Sequence, residues 1–99
     1  MKTYEKYSDA QLATIISGLT NWSIVNGKLH REYRFPDFAH AIGFMAIAAP
    51  AIEKLNHHPE WSNVYNRVSV DLVTHEAGGV TQRDVRLAMA LEAIACKLI

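Results

Sequence analysis

This chain has little on which covalent or electrostatic special effects could be built. One cysteine among 99 residues, Cys96, excludes an internal disulfide framework. Its place in the apolar stripe of a last helix predicts a packing residue rather than a nucleophile. An excess of one charge is also missing. Ten basic and ten acidic residues cancel, and no run of Lys or Arg builds a local patch, so direct nucleic-acid binding is not expected. Long apolar segments are missing too. The N-terminal "MKTYEKYSDAQL" has no stretch of signal-peptide length, and "AIGFMAIAAPAI" is too short to cross a bilayer. A cytoplasmic protein with no membrane partner is therefore expected. What remains, 49% hydrophobic and 20% charged, is the balance of one globular domain over residues 1–99. At this length, folding buries roughly two-thirds of the unfolded surface, enough for one core.

Periodicity orders the elements. Ser8 with Gln11 three residues later is a capping box, followed by Leu12, Ile15, Ile16 and Leu19 at helical spacing, with Gly18 as a stop. Asn26-Gly27 between two alternating segments marks a two-residue hairpin turn. That register puts Trp22, Ile24, Leu29, Tyr33 and Phe35 on a core face, with Arg31 the one polar residue among them. Asp37 caps a second helix whose stripe is Phe38, Ile42, Met45, Ala49 and Ile52, widened by Ala41, Phe44, Ala48 and Leu55; Pro50 inside it predicts a kink. Beyond it, Val68, Val70 and Leu72 alternate with Ser69, Asp71 and Val73 after a turn at Tyr65-Asn66, which makes a second hairpin. Thr81 and Asp84 start a last helix carrying Leu87, Leu91, Ile94 and Leu98. The expected fold is α+β, a four-stranded antiparallel sheet with three helices packed on one face, in the order α-β-β-α-β-β-α.

The stretch "LNHHPEWSNVY" sets two histidines side by side ahead of a proline. Proline restricts the preceding residue to extended backbone, which fixes where His58 projects. The layout puts His57 and His58 before the third strand and His75 at the end of the fourth, so one edge of the sheet can gather all three. His30 and His40 read as solvated positions. Three imidazoles could hold zinc, but adjacent residues of an extended segment point to opposite sides and no HExxH pattern is present, so no metal site is assigned. No serine stands in a GxSxG elbow, and "AGGV" is too short for a phosphate loop. General acid and base chemistry remains. An imidazole gives or takes a proton near neutral pH, and two around one pocket can protonate a leaving hydroxyl while removing a proton elsewhere.

At these residues the chain resembles the pterin-4a-carbinolamine dehydratases. The likeness runs from the first helix to the last and is densest over "EKLNHHPEWSNVYNRVSVDLVTHEAGGVTQRDVRLA", where Glu53, His57, His58, Pro59, Tyr65, His75 and Asp84 fall at the family's spacing. Asn56 departs from the acidic residue that relatives often carry, Ala77 replaces a cysteine of the animal form, and Pro50 is unusual for the second helix. The resemblance implies the same fold and dehydration of 4a-hydroxytetrahydropterin to quinonoid dihydropterin in tetrahydrobiopterin recycling, without a cofactor. It implies His57, His58 and His75 as the catalytic histidines. Glu53, Pro59, Trp61 and Asp84 are expected to bind substrate or support the site: Glu53 by orienting an imidazole, Trp61 as an apolar wall or a packing residue, Asp84 as a helix cap that sets the last helix beside His75. It also implies a rival reading, because animal members serve as dimerisation cofactors of a homeodomain transcription factor through helix surfaces. A homodimer or homotetramer, and a possible further protein partner, are expected on that account.

Overall fold

The computed structural model describes residues 4–99. Its elements run α1 (Asp9–Ser17), β1 (Ser23–Val25), β2 (Lys28–Arg34), α2 (Phe38–Leu55), β3 (Glu60–Val64), β4 (Arg67–Leu72) and α3 (Gln82–Ala95), with one 3-10 turn at His75–Ala77. This is the expected α-β-β-α-β-β-α order around one antiparallel sheet. The strands lie in the order β1-β2-β4-β3, so the two hairpins meet along β2 and β4.

Local signals explain most boundaries. Ser8 and Gln11 bond reciprocally as a capping box, and Gly18 closes α1. Asn26 and Gly27 both take positive φ (52° and 76°), as a tight turn matched to strand twist requires. Val25 faces Lys28 and Ile24 faces Leu29, as the turn predicts. The Tyr65-Asn66 turn joins Val64 to Arg67, with Tyr65 itself left-handed at φ 51°.

The expectations for α2 and for Cys96 need correction. In α2 the buried stripe is Ala41, Phe44, Ala48 and Ile52, while Phe38, Ile42 and Ala49 are exposed and Met45 is half-buried. The apolar arc of α2 is wider than the sheet and α3 can cover, and the two alanines let the helix lie close on the sheet. Cys96 is exposed, because Ala95 ends the buried stripe of α3 and the next residue turns away from it. Its thiol donates to the Ala93 carbonyl, at 3.3 Å. α2 runs unbroken from Phe38 to Leu55 with Pro50 inside it. Pro50 and Ala46, the residue whose carbonyl would have accepted the missing hydrogen bond, both lie at the surface, where water can replace that bond. At 18 residues α2 is long and apolar enough, by length and composition alone, to cross a membrane, longer than the run read from the sequence. Here its inner face packs on the sheet.

The core lies between the sheet and the helices. Tyr33, Phe35, Phe44 and Trp61 form a chain of tilted and edge-on rings with centroids 5.1–6.1 Å apart. Arg31 is no misfit on this face. Its Nε donates to Glu92 Oε1 at 3.1 Å, and its guanidinium lies over the Tyr33 ring. The same oxygen accepts from Trp22 Nε1 at 2.8 Å and Tyr33 Oη at 2.7 Å, which pins α3 to the first hairpin. Burial raises the Glu92 pKa, but the bonds from Tyr33, Trp22 and Arg31 outweigh it and hold the carboxyl below its usual 4.5. Burial, then the Glu92 bond, pushes the Tyr33 hydroxyl far above the usual tyrosine range. Glu92→Ala should therefore cost about 2 kcal/mol in a urea titration at neutral pH, chiefly from the stranded Tyr33 and Trp22 donors. Because the folded pKa is depressed, this contribution is present above pH 4.5 and is lost as pH falls through the lower, folded value. The gap between wild type and variant should close on acidification.

Candidate active site

The site begins where α2 stops. Asn56 takes the left-handed conformation (φ 52°), which asparagine tolerates better than most residues, and its carbonyl is gripped by Arg83 Nη2 at 2.6 Å. Pro59 precedes β3. His57 and His58 thus sit on a short connection fixed at both ends, His57 buried against Asp84 and His58 exposed beside Glu53.

His57 faces Asp84. Its Nε2 lies 2.5 Å from Asp84 Oδ1, and Asp84 is fully buried. The other carboxylate oxygen accepts from Thr74 Oγ1 at 2.8 Å and from the Thr81 amide at 2.9 Å, the latter as half of the capping box that starts α3. Because Thr74 gives its one hydroxyl proton to Asp84, the direction of the Thr81–Thr74 contact follows. Thr81 Oγ1 accepts from the Arg83 amide and donates to Thr74 Oγ1, which donates to Asp84. Asp84 is therefore both the cap read from the sequence and a site residue. Its imidazole partner is His57, while His75 follows its other partner, Thr74.

His58 Nε2 meets Glu53 Oε1 at 2.8 Å, one helical turn back on α2, and both side chains are exposed. His75 opens the 3-10 turn, which Gly78 closes at φ 73°, and a bridge from Thr74 to Gly79 anchors it. His75 Nε2 lies 3.0 Å from Glu60 Oε2. In all three rings the nitrogen facing a carboxylate is Nε2. It must carry the proton of that bond, so in the neutral ring Nδ1 keeps the lone pair.

Two links join the 57–60 connection to the end of β4. One runs from His57 through Asp84 to Thr74, and the other from Glu60 to His75. Other expected residues lie apart. Trp61 is on the helix-covered face opposite Val70, its ring edge-on to Phe44, as a packing residue would be. Tyr65 sits beyond the far end of β3, about 17 Å of extended chain from Glu60. A surface cleft of about 350 Å³ between α1, the first turn and Gly78-Gly79 is lined by none of the histidines. Among the described residues, no three His, Cys, Asp or Glu side chains are grouped to hold a metal ion.

The family described as Pterin 4 alpha carbinolamine dehydratase matches this chain over residues 5–94. The chain belongs to that family. A protein of Solibacter usitatus that carries the provisional name pterin-4-alpha-carbinolamine dehydratase is 53% identical over 90 residues, which cover 91% of this chain and 95% of the relative. A Rhizobium rhizogenes protein with the same provisional name is 47% identical over 96 residues, 95% of each chain. The crystal structure of a "transcriptional coactivator/pterin dehydratase" from Brucella melitensis superposes with a TM-score of 0.88 at 43% identity, covering 92% of this chain and 99% of that one.

Within this dehydratase family frame, sequence reasoning missed three residues of the site. Thr74 is the buried hydroxyl that shares Asp84 with His57. Glu60 holds His75, and Lys28 Nζ holds Glu60 Oε1 at 2.5 Å. The Lys28 bond, then the His75 bond, keeps the Glu60 carboxyl below its usual range, and the Glu60 bond raises Lys28. Strand alternation does place Lys28, Asp71 and Glu60 on one face, but only the order β2-β4-β3 brings Lys28 within reach of Glu60.

Proposed function

We propose that this protein dehydrates 4a-hydroxytetrahydropterin to quinonoid dihydropterin, a lyase reaction in tetrahydrobiopterin recycling, with His57, His58 and His75 as the acid and base groups. The observation that supports this most is that each of the three histidines has its Nε2 against a carboxylate of its own, which leaves one ring nitrogen per residue for proton transfer. The C4a–O bond breaks as an imidazolium protonates the leaving hydroxyl, which departs as water. The N5–H proton goes to a neutral imidazole, and the electron pair it leaves closes the C4a=N5 bond. No electrons leave the substrate, so the reaction needs no redox partner. One ring ends a proton poorer and another a proton richer. His58 and His75 are exposed and can reset by exchange with water. The neutral overall charge and the absence of a basic run suit a small pterin in the cytoplasm better than a nucleic acid or a membrane surface.

The test is a stopped-flow assay with freshly generated 4a-hydroxytetrahydropterin. A rate well above buffer is expected; a rate equal to buffer would leave the family's other reading, a protein-binding module, in its place.

Self-association belongs to the same proposal. Phe38 and Ile42 are 51% and 41% exposed on one face of α2, beside half-buried Met45, a larger apolar strip than a lone helix keeps in water without reason. A second copy of the chain covers it, as a homodimer or within a homotetramer. Ile42→Asp, a change at an exposed site, should shift the sedimentation coefficient to that of a monomer while the circular dichroism spectrum is retained. A wild-type monomer would contradict this part.

A further inference from the structure

Of the three carboxylates that meet a site histidine, Glu53 and Asp84 were expected from the sequence and Glu60 was not. Glu60 is built into the site by the sheet. The Asn26-Gly27 turn sets the register that makes Lys28 the first residue of β2, on the face opposite the core. In the same register Ser23, His30, Asp71 and Glu60 form one row across the four strands on that uncovered face. Lys28 reaches past β4 to Glu60, while His30 Nδ1 takes Asp71 at 2.9 Å, which leaves Glu60 to Lys28 and His75. The two oxygens of Glu60 are divided: Oε1 to the lysine, Oε2 to the imidazole. His75 needs such a hold, because it stands 72% exposed on a single 3-10 turn.

We propose that Glu60 is a positioning residue for His75: anchored by Lys28 through one oxygen, it holds the imidazole by the other in the Nε2–H form, with Nδ1 turned to the reacting pterin. This rests on the reading that His75 acts on that substrate. Lys28 also keeps Glu60 from swinging into water, where an exposed carboxylate would otherwise spend its time. The first hairpin, far in sequence from the histidines, thereby enters the chemistry. All three side chains are partly exposed, so the effect is that of a screened contact and stands at the low end for groups that orient a histidine.

The test compares Glu60→Ala, Glu60→Gln and Lys28→Met in dehydration kinetics and in ¹⁵N-imidazole spectra, which report the ring tautomer without any need for turnover. Glu60→Ala should lower kcat about tenfold with KM within about twofold. Glu60→Gln keeps an acceptor oxygen and should lose only about threefold, and Lys28→Met should fall between. In Glu60→Ala the His75 ring should lose its single Nε2–H pattern, and in Glu60→Gln it should retain it. Wild-type turnover in Glu60→Ala, or an unchanged His75 ring pattern in that variant, overturns the positioning role. Wild-type turnover in His75→Ala overturns instead the functional reading on which it rests.

Discussion

His75→Ala and His58→Ala should each lower the dehydration rate by about 10²-fold or more, the usual contribution of a positioned acid or base, and leave the protein as stable as before. Both side chains are exposed, and each makes its one hydrogen bond to an exposed carboxylate. Surface contacts of this kind contribute well under about 1 kcal/mol, so the melting temperature should barely move. That separation makes the two variants informative: a merely structural histidine would not lose turnover and keep its fold. His57→Ala should lose as much activity and also some stability, because it removes a buried ring and leaves one Asp84 oxygen without its donor. Alanine at His40, which pairs with Asp37 at the start of α2 and makes no contact with the proposed site, should leave kcat unchanged.

Asp84→Ala should be the most destabilising single change in the site, costing about 3–5 kcal/mol in chemical denaturation. The carboxylate is fully buried and is the common acceptor of three donors: the His57 ring, the Thr74 hydroxyl and the Thr81 amide. Its removal strands all three and deletes half of the α3 capping box. Asp84→Asn separates the two roles. The amide has the same shape, and its oxygen can still accept from Thr74 and Thr81, so the loss in stability is smaller. Its NH₂ group then faces His57 Nε2, which must turn acceptor, and the ring is driven to the Nδ1–H form. The variant should fold, melt a few degrees lower and turn over at least about 10²-fold more slowly. A folded Asp84→Asn variant with wild-type turnover would show that the His57 tautomer does not matter to the reaction.

Elements whose signals are local were legible in the sequence. The Ser8–Gln11 and Thr81–Asp84 boxes, the Asp37 cap and the Asn26-Gly27 turn each depend on residues within four positions of one another, and the structure has all of them. Arg31 was legible as an anomaly, but its answer, Glu92, lies 61 residues away. The strand order was equally hidden, since two hairpins can meet along either edge and no local residue decides which. Glu60 went unread for that reason. The α2 stripe was misplaced because apolar residues cover more than half of that helix, so periodicity alone cannot say which arc meets the sheet. His57, His58 and His75 stood out in the sequence and were named as site residues, with Glu53 and Asp84, through the family resemblance, yet the pairing of each imidazole with its carboxylate depends on tertiary contacts.

The most direct measurement follows the ring resonances of all five histidines while 7,8-dihydrobiopterin is added to the ¹⁵N-labelled protein. If His57, His58 and His75 surround the pterin, their three signals move together along one saturation curve, and that of His40, held by Asp37 at the start of α2, stays in place. Saturable binding that moves His40 and leaves His57, His58 and His75 untouched would contradict the account.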